Sequence, residues 1–426
     1  MVTVPFSENQ LTSRNRALMQ LIDFIVIGIF VFIILFALGA VTGVLLPPID
    51  PTKPDIPLLR KLWYPVYVLA LAVSLPKLPQ VFRMATFSPI IIISVMYCGI
   101  TMLWSIDPGV TSRRVIALIL TTYVGLALAA WFDWRRMVQV VALAFLITAI
   151  LTVGLALLDP AKGVMQDIHA GAWKGPFAEK NQMGGRMTLG FIACISAFAL
   201  RPSRAWLWLP AAGLCFLMVI MSTSKTALLI TLLSTFLFIF LKLYRTNPIT
   251  RIPLIFGLFT SIGLMTLLIT VFPEFMFGLI GKDPSLTGRT DIWVMLTEAI
   301  NKEFWTGYGF GVFWQDPYGP SYMIKEVLQW PVPTAHNGWI EIWLSAGIGI
   351  VFLFGLQCFL AFGFALFTIK YGGRETYWIV LVLISYIGFS MSESEILQQN
   401  NVFWIIFVAT CAKLFSAERS YRPLRP

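Results

Sequence analysis

Charge is what this sequence has least of. Only 12% of its 426 residues are Asp, Glu, Lys or Arg, where a soluble domain carries about 25%, and 58% are hydrophobic. That balance excludes an ordinary soluble enzyme and a disordered chain. Cysteine is sparse: Cys98, Cys194, Cys215, Cys358 and Cys411 lie in apolar runs without paired spacing, which excludes a disulfide framework and a zinc site. Histidine is nearly absent, with His169 and His336 the two copies. An Asp-x-Asp pair, the usual metal clamp of nucleotide-sugar transferases, is missing. The net charge of +10 forms no basic stripe, so nucleic acid is not an expected partner.

A polytopic, all-α membrane protein remains. About 20 consecutive apolar residues cross a bilayer as a helix. That rule predicts about twelve spans, near residues 20–46, 63–76, 87–106, 114–132, 138–158, 186–200, 206–222, 226–244, 254–278, 345–369, 377–391 and 400–415. The first is too long for a cleavable signal peptide and has no small-residue cleavage site after it. The chain reads as one integral membrane domain, 1–426, with a large external loop at 279–336 between spans nine and ten.

Lys and Arg near span ends set orientation. With both termini on the cytoplasmic side, 17 of the 31 basic residues are cytoplasmic. Eight of the other 14 fall in two long loops, 159–186 and 279–336. The same orientation gathers both histidines and most chemistry-bearing polar groups on the external face.

Five external segments stand out. The first runs through Lys174-Gly-Pro-Phe177-Ala-Glu179-Lys180-Asn181 to Arg186. Its glycines can turn backbone N–H groups toward an anion, although its cations can equally snorkel among headgroups. Ser222-Thr-Ser224-Lys225-Thr226 is a polar break between two spans, with hydroxyls that can satisfy freed backbone groups. It lacks the glycine run of a phosphate-binding P-loop. The large loop holds Gly288-Arg289, a short amphipathic helix over 291–300 expected to lie at the lipid interface, and Gly307-Tyr-Gly-Phe-Gly311, read as a flexible turn near the site. The loop ends in His336-Asn337-Gly-Trp-Ile-Glu341. A lone His is more often structural than catalytic, yet it is the side chain best suited to take a proton near neutral pH. Asn337 and Glu341 are spaced to orient its ring or a sugar hydroxyl. Trp104-Ser…Asp107-Pro108 leads to Arg113, and Glu393 with Glu395 forms a carboxylate pair that lacks a third metal ligand.

The ordered set resembles the O-antigen ligase/Wzy-type polysaccharide polymerase superfamily across roughly residues 100–400. Its pieces are Trp104-Ser…Asp107-Pro108…Arg113, Gly175-Pro-Phe…Lys180-Asn181, Ser222-x-Ser224-Lys225-Thr226, Gly288-Arg289…Trp293, Gly307-Tyr-Gly-Phe-Gly311 and His336-Asn337…Glu341…Gly347-Ile-Gly349. The Lys-Gly-Pro-Phe-Ala-Glu-Lys-Asn-Gln loop is most similar to the exopolysaccharide-polymerase branch.

The resemblance implies a GT-C-type glycosyltransferase of the bacterial inner membrane with its active site facing the periplasm. Its donor would be an oligosaccharide on polyprenyl diphosphate, normally undecaprenyl diphosphate. Its acceptor would be a glycan or lipid hydroxyl, and its wider partners membrane lipids, chain-length regulators and export proteins. The family's two diphosphate-binding cations and its histidine map onto Lys225, Arg289 and His336. Lys225 is a departure, because Arg is common there and Lys loses the bidentate fork. Arg186, Arg113, Lys174, Lys180 and Asn181 are then supporting substrate contacts. No cofactor or metal is expected, and inverting transfer follows, with Arg and Lys stabilising phosphate charge. Polymerisation of exopolysaccharide repeat units is the leading expectation and ligation of O-antigen to lipid A core the alternative. A transporter or flippase of lipid-linked oligosaccharide is the rival from another class, but such folds bind near the midplane, and this chain's polar groups are external.

Overall fold

The computed structural model describes residues 13–46, 57–166, 169–246, 248–257, 260, 289–315, 319–329 and 332–416. Among the described residues every extended regular element is a helix, and one isolated antiparallel bridge joins Val164 to Trp173. Among the described residues, eight helices are long and apolar enough to cross a membrane, and three shorter apolar helices accompany them. The expected ninth span, near 254–278, lies almost wholly outside the described residues.

The helices are α1 (Ser13–Ala37), α2 (Ala40–Leu45), α3 (Pro57–Ser74), α4 (Leu78–Thr86), α5 (Pro89–Ile100), α6 (Pro108–Trp131), α7 (Trp134–Leu158), α8 (Pro160–Gly163), α9 (Lys180–Leu200), α10 (Ala205–Met221) and α11 (Lys225–Thr246). The C-terminal part adds α12 (Arg289–Lys302), α13 (Tyr322–Leu328), α14 (Gly338–Tyr371), α15 (Glu375–Ser390) and α16 (Val402–Phe415).

Burial sorts these helices. α15 and α16 are apolar all round and almost wholly enclosed, the pattern of a core helix. α9 joins them at the centre, while α1, α3 and α11 leave most of their apolar surface outward. Small residues bring the central backbones close: a Cβ at Gly125 of α6 would sit 2.8 Å from the Ile405 carbonyl of α16. Polar links then fix the register, with Trp404 Nε1 donating to Thr122 Oγ1 (2.9 Å) and Trp378 Nε1 to Thr410 Oγ1 (3.0 Å).

α14 is broken at Ala346 and Gly347, where Gly347 has φ 72°. A Cβ at Gly347 would run into the Trp305 carbonyl. The strap 304–311 lies in the gap and replaces the lost helical bonds. Tyr308 N donates to Leu344 O (2.8 Å), Gly309 N to Ser345 O (3.1 Å) and Ile348 N to Phe304 O (3.0 Å). On its other side the strap is held by Trp104 Nε1 on Thr306 O (2.9 Å), Ile106 N on Tyr308 O (3.1 Å) and Phe310 N on Thr101 Oγ1 (3.0 Å). The Gly-x-Gly-x-Gly run is therefore a docked strap rather than the expected flexible turn, because its backbone groups are taken up on both sides.

A second, smaller core forms outside the bundle. Ile292, Leu296, Ala299 and Ile300 of α12 pack with Phe313, Trp314, Ile324, Val332, Ala335 and Leu344. The amphipathic helix expected to lie on lipid thus turns its apolar face onto the large loop and the outer half of α14.

Candidate active site

The site lies where helix ends of alternating direction meet on one face of the bundle. Here α9, α11 and α14 begin, α10 and α15 end, and α16 begins. Gly184 lets α9 and α11 approach, since a Cβ there would lie 2.8 Å from Ser222 Oγ and 2.9 Å from Ala227 Cβ. Deeper in the same contact Thr188 Oγ1 meets Thr231 Oγ1 at 2.8 Å.

Lys180 and Lys225 are the first residues of α9 and α11, with their charges close enough to repel. Lys180 Nζ donates to Thr223 Oγ1 (3.2 Å). Thr223 adopts φ 52°, a left-handed backbone rare for a β-branched residue. Ser222 satisfies the break, its Oγ donating to Val219 O (2.6 Å) and accepting from Ser224 N (3.2 Å).

Arg289, Glu393 and His336 form the second part. Arg289 Nη1 donates to Ser392 O (2.8 Å), and its Nη2 lies 3.4 Å from Glu393 Oε1. The other oxygen of Glu393 is 3.5 Å from His336 Nδ1. His336 also has a left-handed backbone, φ 47°, and strain of this kind persists only where surrounding contacts hold it. Those contacts are visible. Glu341 is buried and accepts from Ala335 N (2.9 Å), Trp314 Nε1 (2.9 Å) and Ser394 Oγ (3.2 Å). It therefore fixes the chain before His336 and ties it to the Glu393 turn.

Arg186 links the two parts. Its guanidinium stacks over Phe177 (4.7 Å), donates from Nη1 to Gln182 Oε1 (3.2 Å) and lies within electrostatic reach of Glu395 and Glu393. Its Nε is buried without a hydrogen-bond partner. Burial raises the Glu395 carboxyl above the usual carboxylate range, opposed by Arg186 and an Asn401 hydrogen bond and helped by Glu393. In the same turn Leu397 (φ 53°) and Asn400 (φ 61°) are left-handed. Asn400 Oδ1 accepts from Tyr67 of α3, and Asn400 N donates to Thr121 Oγ1 (2.8 Å).

Of the residues singled out by sequence, Lys180, Arg186, Lys225, Arg289 and His336 meet on this face, and Asn181 is the second residue of α9. Asn337 has a different task from the expected one. Its Oδ1 accepts from Trp339 N (2.9 Å) and Ile340 N (3.3 Å), so it caps α14 rather than orienting the imidazole. Glu341 acts on His336 through the backbone, as above. Lys174 belongs to a loop pinned on Gly163 O by its own N–H and that of Gly175 (both 2.9 Å). Arg113 is exposed on the second turn of α6, and it is Arg114 that packs under Gly311. His169 is exposed, its carbonyl accepting from Ala172 N (3.0 Å). In the sequence Glu393 and Glu395 read only as a carboxylate pair without a third metal ligand. Their partners are cations and a histidine that sequence spacing could not supply.

Residues 210–355, a stretch that takes in Lys225, Arg289 and His336, match the family model described as O-Antigen ligase. Over 273 residues the chain is 25% identical to the exopolysaccharide production protein ExoQ of Rhizobium meliloti (strain 1021). That alignment covers 61% of this chain and 61% of the relative, so the chain spans about three fifths of the length of the curated relative it matches. Both comparisons bear out the resemblance to the O-antigen ligase/Wzy-type polymerase superfamily.

Proposed function

We propose that this chain is a membrane glycosyltransferase that moves a saccharide from a polyprenyl diphosphate to an acceptor hydroxyl on the external face of the bacterial inner membrane. The observation that carries the reading is a pair of cation sets on one face of the bundle: Lys180 beside Lys225, and Arg289 with Arg186 about the Glu393 carboxylate that faces a held histidine. Four cations on one face of a chain so poor in charge need an anion to justify them.

In this mechanism Lys225, Lys180, Arg186 and Arg289 hold the diphosphate in place of a metal ion. The acceptor O–H gives its proton to His336, and its oxygen attacks the anomeric carbon from the side opposite the phosphate. The C1–O bond to phosphate breaks, and its electron pair leaves on the polyprenyl diphosphate, whose growing charge the cations stabilise. One new glycosidic bond replaces one phosphoester bond, with inversion at the anomeric carbon.

Purified protein incubated with undecaprenyl-diphosphate oligosaccharide should release undecaprenyl diphosphate and longer glycan. His336→Ala and Arg289→Ala should each lower that release by about 10²-fold or more. Near-normal transfer by both stably folded variants, or movement of intact donor across the bilayer instead, would defeat the proposal. Polymerisation of exopolysaccharide repeat units is favoured by the similarity to an exopolysaccharide production protein. Ligation to a lipid acceptor is favoured by the matching family model. Both break the same bond, so offering one donor with either a second lipid-linked repeat or lipid A core decides between them.

A further inference from the structure

The Glu393 carboxylate is divided between two partners. Oε1 lies 3.4 Å from Arg289 Nη2 and Oε2 lies 3.5 Å from His336 Nδ1. Both distances are long for charge-assisted bonds, which settle near 2.7–2.9 Å. A carboxylate that closes on one partner must draw away from the other. Arg289 is not released if this happens, because its Nη1 also donates to the Ser392 carbonyl at 2.8 Å. All three side chains are mostly enclosed, at 19%, 25% and 15% exposure for Arg289, Glu393 and His336, so water screens the exchange poorly.

We propose that Glu393 is a positioning residue that couples donor binding to activation of His336. The inference rests on the reading that the donor carries a diphosphate. A diphosphate, with one negative charge on each phosphate, binds a guanidinium through two charge-assisted hydrogen bonds and displaces a singly held carboxylate. Arg289 then turns to the donor, and Glu393 moves fully onto His336 Nδ1. A close carboxylate stabilises the imidazolium and makes the ring the stronger base. The other charges around the pair come from separate elements: Arg186 of α9 reaches Glu393, Glu395 lies on the same turn, and Glu341 of α14 reaches His336. None of them contacts both Arg289 and His336, as Glu393 does. Donor binding would thus prepare the base before an acceptor arrives.

Two histidines make this measurable. With His169→Gln as background, one imidazole remains, and its titration can be followed by NMR of ¹⁵N-histidine-labelled full-length protein. Inorganic pyrophosphate serves as the probe. In the wild-type site the His336 midpoint should rise by about one pH unit when pyrophosphate is added. Glu393→Gln should lose at least half of that rise. The same variant should bind pyrophosphate about 5–10-fold more tightly, because Arg289 no longer has to give up a carboxylate. A merely structural role for Glu393 predicts weaker binding. If Glu393→Gln folds poorly, Glu393→Asp is used instead; one methylene shorter, it cannot span both partners and should also lose the rise. An unchanged midpoint rise in the variant, or binding no tighter than wild type, would overturn the coupling while leaving the transfer reading intact. Absence of pyrophosphate binding to the wild-type chain would remove the diphosphate reading and the coupling with it.

Discussion

The two faces of the bundle hold the same kinds of cation at opposite ends of helices. On the face away from the site, Lys77 donates to Trp131 O (3.1 Å) and Lys413 to Ala129 O (3.3 Å), both in the last turn of α6. Arg245 donates to Gly372 O (2.6 Å) at the end of α14, and Arg374 to Ala199 O (3.4 Å) at the end of α9. These cations meet carbonyls at the negative ends of helix dipoles, where they are stabilising. On the site face Lys180 and Lys225 open α9 and α11, and Arg289 stands at the described start of α12. There the dipole is positive and a cation is unfavourable. The same residue type is structural at one helix end and poised for an anion at the other. Position relative to the dipole separates the two uses more cleanly than residue identity does.

The sharpest test of that contrast is Lys225→Ala. It should reduce transfer by about 10²-fold and cost less thermal stability in detergent than the opposite-face variants do, because the repulsion with Lys180 is removed with it. A stability loss equal to that of the opposite-face variants would break the distinction. Lys413→Met makes the converse case. Lys413 is 3% exposed, so its loss leaves the Ala129 carbonyl short of a donor at about 1–3 kcal/mol. Thermal unfolding should show that cost, whereas transfer per folded molecule should stay near normal. The smallest effect concerns Glu395→Gln. Burial raises the Glu395 carboxyl in the folded chain, so its stabilising contribution is full below the ordinary carboxylate range, about pH 4.3. It is lost as pH rises from there through the raised value, because the unfolded chain gives up that proton first. Unfolding temperature measured from about pH 4 to pH 8 should therefore fall less steeply in the variant than in wild type.

Much of this architecture is legible from the chain because water-insoluble runs are long and the polar exceptions few. Lys225, Arg289 and His336 are among those exceptions, and the resemblance to the O-antigen ligase/Wzy-type superfamily is what assigns them roles. A cap at Asn337 was also within reach, since Asn directly before an apolar helix is an N-cap pattern. Glu393 was not, because its partner Arg289 lies 104 positions away and nothing local marks the pair. The strap was hidden for a similar reason. A Gly-x-Gly-x-Gly run looks mobile until the broken helix that takes its hydrogen bonds is found beside it. Local pattern records which backbone groups a segment leaves unsatisfied, but not which distant segment will satisfy them.

The break in α14 also has a bearing on the order of assembly. Its open groups at Leu344, Ser345 and Ile348 are satisfied by Phe304, Tyr308 and Gly309, all of which precede them in the chain. A ribosome works from the N-terminus, so the strap is made before the helix that needs it. The helix can therefore form with its replacement partners already made. A permuted chain with the strap encoded after α14 would have to insert that helix with its middle exposed, and should depend far more on chaperones to reach the same end state.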